Sequence, residues 1–90
     1  MREYIVEYLG TVFFLYVFLM MESSYAPLAV GGALALSMYL GGPISGGNFN
    51  PVITVMMALT KKQSMDSIAP YIIAQLAAAF TVVELYKRLR

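Results

Sequence analysis

Hydrophobic positions in this chain come in long blocks, not in the short alternation of a half-buried strand. Residues 4–21 carry a single charge, Glu7, and residues 28–40 carry none. A third apolar block occupies residues 67–84, closing on Glu84. Crossing the ~30 Å of bilayer hydrocarbon takes about 20 mainly apolar residues in a helix, with 17 as the lower limit. The pattern therefore predicts three transmembrane helices, over about 4–21, 27–41 and 67–86. Ser23, Ser24 and Pro27 form the first connection, with Pro27 suited to the first turn of the second helix. Gly41, Gly42 and Pro43 are expected to stop that helix. Small residues on the second block (Ala29, Gly31, Gly32, Ala33, Ala35, Ser37) and the third (Ala69, Ala74, Ala77, Ala78, Ala79) suit close helix packing.

Between the second and third blocks the pattern changes. Residues 43–60 open as a loop rich in Gly, Ser and Asn, then turn apolar from Val52 to Leu59. Asn50 is a good N-cap and Pro51 an ideal first helical residue. The helix reaches Thr60 before Lys61 and Lys62, about 15 Å, or half a bilayer. It either lies on the membrane surface or dips inward and meets its loop near the midplane. Surface helices carry a strongly charged face. This one offers only Asn50, Thr54 and Thr60, so the re-entrant placement is favoured. Irregular backbone at that depth must be buried in protein or line a wet cavity. The fold class expected is an all-α membrane domain spanning 1–90: three transmembrane helices plus one re-entrant half-helix.

Composition narrows function mainly by exclusion. With 60% hydrophobic and 12% charged residues, a 90-residue chain cannot bury its apolar surface as a soluble globule. A net charge of +1, with the basic residues at block ends, gives no face for nucleic acid. Cys and His are both absent, which removes disulfides, thiolate metal sites and the commonest general base. No enzyme chemistry, metal or cofactor is implied. Arg2, the apolar run to Met21 and Ser24-Tyr25-Ala26 have the outline of a signal peptide. Glu3, Glu7 and the Pro27 that would follow the cut argue for a retained span. Tyr4, Tyr25, Tyr71 and Tyr86 read as interfacial anchors, and Tyr86 to Arg90 as an anchoring tail.

"GGPISGGNFNPVIT" (41–54) resembles the first-half signature of the major intrinsic proteins, the aquaporins and glycerol facilitators, approximately S-G-[GA]-H-x-N-P-A-[VI]-T. "EYLGT" (7–11) resembles the E-x-x-G-T of their first helix, and "YIIAQLAAA" (71–79) the Y-x-x-A-Q-x-x-G-A of their third. The three motifs stand in order, each on its own span, and cover one half of a typical family member. The resemblance implies a pore in which Asn50 caps the half-helix and turns its amide to passing water. It implies a ladder of acceptor carbonyls from Gly46, Gly47 and Asn48. Glu7 would brace the backbone N–H groups of this loop, or else reach the interface from the helix edge. Gln75 would brace the same loop or serve helix packing. Val30 would fall at the outer constriction.

Several positions depart from the family pattern. The usual N-P-A is Asn50-Pro51-Val52, the loop His is Asn48, and an Ala stands where the third-helix pattern has its Gly. The second half of a family member follows its N-P-A with an Arg; Ile53 stands in the corresponding place here. Three spans and a half-helix cannot enclose a pore, so the second, inverted half of the fold must come from elsewhere. Arg2, Lys61 and Lys62 lie on one side of the membrane, balanced by Lys87, Arg88 and Arg90 on the other. The positive-inside rule therefore sets no orientation. The expected function is passive permeation of water and small uncharged solutes such as glycerol. The pore would form in an antiparallel homodimer within the lipid bilayer, and such pores could gather into tetramers. The alternatives are half of a split or truncated pore needing a different partner, a regulator of full-length channels that does not conduct alone, or a packing scaffold.

Overall fold

The computed structural model describes residues 1–89. The chain forms α1 (Arg2–Met20), α2 (Ala26–Ser45), α3 (Pro51–Leu59), a 3-10 turn (Met65–Ser67) and α4 (Ile68–Leu89). Three helices, with the 3-10 turn continuing into α4, are long and apolar enough to cross a membrane. At 1.5 Å per residue α1, α2 and α4 run about 29, 30 and 33 Å, whereas α3 reaches only ~14 Å. The described residues contain no strand. The chain is an all-α, multi-pass integral membrane protein.

Helix α1 lies between α2 and α4, and α2 packs chiefly on α1. Helix α3 rests chiefly on α4 and the 3-10 turn. Small residues set the α1–α2 approach: Ala33, Ser37 and Gly41 are buried, and the Ser37 hydroxyl donates to the Gly10 carbonyl at 3.4 Å. Gly31 and Gly32, on the same helix, face open space. On α4 the buried stripe is Tyr71, Ala74, Gln75, Ala78 and Val82. A hydrogen bond of 2.6 Å between Tyr8 and Thr81 ties α1 to α4 further along.

Polarity is distributed inside out. The largest fully buried side chains are Glu7, Asn48 and Thr54, while Leu28, Tyr39, Val52 and Phe80 are all more than two-thirds exposed. Polar groups inside and apolar groups outside suit a bilayer environment, in which buried donors and acceptors must find each other within the protein.

Two expectations are corrected. Helix α2 does not stop at Gly41-Gly42-Pro43 but runs through Pro43 to Ser45. Pro43 lacks only its own N–H, and the turn still closes through Gly46 N–H to the Gly42 carbonyl at 2.8 Å. The stop moves to Gly46, whose φ of +90° takes the chain into the left-handed region, followed by Gly47 at +64°. Tyr71 is not an interfacial anchor. It is buried at 5% exposure, donates its hydroxyl to the Ser45 carbonyl at 2.6 Å, and meets Tyr4 edge-on at 5.8 Å.

Candidate functional site: the re-entrant loop and its buried carboxylate

The 46–49 loop is held in a conformation that L-residues seldom adopt. Gly46, Gly47 and Phe49 all have positive φ, at 90°, 64° and 55°. For Phe49 this costs about 1–2 kcal/mol, so its surroundings must hold it there. Two sets of contacts do so. Its ring is buried where Gly10 and Gly41 leave room; a Cβ at Gly10 would fall 2.2 Å from ring carbon Cε1. Its N–H donates to Glu7 Oε1 at 2.8 Å. Gly47 passes close over α2, where a Cβ would lie 3.3 Å from Met38 Cα.

Glu7 is 0% exposed. Its Oε2 accepts from Ser45 Oγ at 2.7 Å and from Asn48 N at 3.0 Å. Its Oε1 accepts from Phe49 N and from Gln75 Nε2 at 2.9 Å. A carboxylate is acceptor-only with about four lone-pair sites, and each oxygen here takes two donors. The side chain thus joins α1, the end of α2, the loop and α4. Gln75 Nε2 also donates to Thr54 Oγ1 at 2.8 Å, and Asn48 Nδ2 donates to the same oxygen at 3.0 Å. Thr54 is fully buried and fastens α3 to this node.

Asn50 opens α3. Its Oδ1 accepts from Val52 N at 2.8 Å, and Pro51 follows as the first helical residue. Among the described residues its Nδ2 donates to nothing in the chain, and the carbonyls of Gly46, Gly47 and Asn48 accept nothing from it. Asn50 and Pro51 line a pocket of about 210 Å³ with Phe14 and Leu15 of α1 and Leu76 and Ala79 of α4. Those neighbours lie in the middle of their helices, so α3 begins near mid-depth of the bundle. Lys61 and Lys62, just beyond its end, are exposed. Val52 is 76% exposed.

The fold therefore brings Glu7, Gly46, Gly47, Asn48, Asn50, Pro51 and Gln75 to one region. Val30 is elsewhere: it sits in the first turns of α2, about 22 Å along the axis from Ser45. Sequence reasoning missed Ser45 and the hydroxyl of Tyr71 as parts of the node, and Gln63, whose Oε1 accepts from Asn48 Nδ2 at 2.8 Å. For Thr54 a signal existed, since it is a lone polar residue four after Asn50 in an apolar helix. Gln63 carried none. Among the described residues no group of three or more His, Cys, Asp or Glu side chains could hold a metal ion.

Comparison with known proteins agrees with this architecture. The family model of the major intrinsic proteins matches residues 1–89. Glycerol uptake facilitator protein-like 6 of Lactiplantibacillus plantarum is 38% identical over 87 residues, covering 88% of this chain and 39% of that protein. A PIP-type aquaporin of Atriplex canescens is 33% identical over 100 aligned residues, 96% of this chain and 36% of its own length. Aquaporin AqpM of Methanothermobacter thermautotrophicus is 46% identical over 52 residues, 58% and 21% of the two chains. No solved structure gives a significant match. The chain spans well under half the length of these relatives. The match over residues 1–89 decides the matter: the chain belongs to the major intrinsic protein family.

Proposed function

We propose that the chain forms half of the wall of a passive channel for water and small uncharged solutes, completed by an inverted copy of the same segment. The observation that carries this reading is Asn50 at the head of a half-length helix near mid-depth. Its oxygen is used as a cap and its amide N–H₂ is left free. The unpartnered carbonyls of Gly46, Gly47 and Asn48 offer acceptors beside that donor, so a water molecule meets both polarities in sequence. The N-terminal end of a helix carries a positive partial charge. Placed at the midplane, it disfavours cations and interrupts proton hopping. Val52, beside Asn50, and the outer faces of α2 and α3 are where a second half would seat, as in folds built from inverted repeats. Balanced basic residues on the two sides allow insertion both ways up. Ile53 in place of an Arg predicts weaker rejection of cations and larger solutes.

Swelling of vesicles carrying the purified chain tests conduction. Water flux should exceed that of empty vesicles, and Asn50→Asp should lower it and admit cations. Flux equal to empty vesicles, unchanged by Asn50→Asp, would sink the reading. A second reading follows from the chain's 39% share of its facilitator relative. Here the other half comes from a different polypeptide segment, and this one does not conduct alone. Reporter fusions at both termini separate the two: dual orientation supports self-pairing, and one fixed orientation supports a different partner.

A further inference from the structure

We propose that Gln63 is a positioning residue that clasps the two ends of the re-entrant unit together and so sets where Asn50 stands. Helix α3 packs chiefly on α4 and the 3-10 turn. Its beginning is fastened through Thr54. Its end reverses at Lys61, whose φ is +64°, with Lys61 N–H bonding the Ala58 carbonyl and Lys62 N–H the Met57 carbonyl. That reversal turns Gln63 back toward the loop before α3. Gln63 Oε1 accepts from Asn48 Nδ2 at 2.8 Å, while its Nε2 donates to Ser67 Oγ at 2.7 Å. Ser67 Oγ passes the chain on to the Ser64 carbonyl at 2.6 Å. One amide thus bridges the loop before α3 and the turn that begins α4, using its acceptor end for one and its donor end for the other.

Asn48 depends on this bridge more than its position in the sequence suggests. It is 2% exposed, and its Oδ1 is buried without a partner, so Nδ2 makes all its side-chain bonds. Those go to Thr54 and Gln63 alone. Without Gln63, the Asn48 side chain keeps one bond, the end of α3 is free to tilt about Thr54, and the 48–50 backbone loosens. The effect on permeation rests on the channel reading above; the clasp itself does not.

The experiment pairs amide hydrogen exchange on the solubilised chain with water flux in vesicles. Gln63→Leu should raise exchange at the 48–50 amides about 2- to 10-fold, the range expected for one net hydrogen bond, and lower water flux by a similar factor. Gln63→Glu keeps an acceptor toward Asn48 and should restore both. In an Asn48→Ala background Gln63→Leu should add nothing, because the pair is already broken. Wild-type exchange at 48–50 in Gln63→Leu, or an equal effect in the Asn48→Ala background, overturns the clasp. Wild-type flux no greater than that of empty vesicles instead overturns the channel reading, and the exchange arm still decides the clasp.

Discussion

Replacing Glu7 by Gln tests whether one carboxylate holds the loop. The change swaps one acceptor oxygen for an N–H₂ group at nearly constant volume. A Gln oxygen can serve one pair of donors, and the better choice is Phe49 N and Gln75 Nε2. The new N–H₂ then faces Ser45 Oγ and Asn48 N. Ser45 has an escape, because its hydroxyl already lies 3.3 Å from the Gly41 carbonyl. Asn48 N–H has none and is left buried against another donor, which costs about 1–3 kcal/mol. Loss of charge from the surviving bonds adds about 1 kcal/mol. The sum, about 2–4 kcal/mol, exceeds the 1–2 kcal/mol needed to keep Phe49 left-handed. The loop should therefore open locally while α1 and α4 stay folded. Hydrogen exchange at the Asn48 and Phe49 amides should accelerate by about 30- to 1,000-fold, with the α1 and α4 amides little changed. Acceleration below threefold at those two amides would refute the reasoning.

Further outcomes follow at the glycines and at Thr54. Gly10→Ala drives a methyl into the Phe49 ring and should destabilise by about 1–3 kcal/mol, read as a lowered thermal midpoint in detergent. Gly31→Ala, which meets open space, should leave the midpoint unchanged or raise it. Thr54→Val keeps the shape but removes the oxygen on which Asn48 and Gln75 converge. It should cost about 1–3 kcal/mol for the stranded donors, and Thr54→Ser should recover most of that in the same unfolding measurement.

Some of this arrangement is legible in the residues. Glu7 stands out as an acid within an apolar span, and such a residue in a membrane is a functional candidate by default. Asn50 and Pro51 mark a helix start, because capping and the missing proline N–H are local properties. Sequence alone misplaces the end of α2, because proline's effect depends on its surroundings. Pro43 removes one donor, but the rest of the turn stays satisfied through Gly42 and Gly46. Tyr71 is ambiguous in sequence because tyrosine serves equally at an interface or in a polar core; its place on the face of α4 toward Ser45 decides it.

By itself the sequence determined the element types, the membrane environment and the half-length of α3. Each depends on hydropathy, length or backbone chemistry within a few residues. Only the tertiary structure decided which groups meet. Glu7 finds the Asn48 and Phe49 amides 41 and 42 residues away, and Gln75 reaches it across 68. Gly10 is small because a ring from residue 49 fills the space beside it. Such pairings arise because a polar group without water must take whatever partner the helix packing brings within about 3 Å.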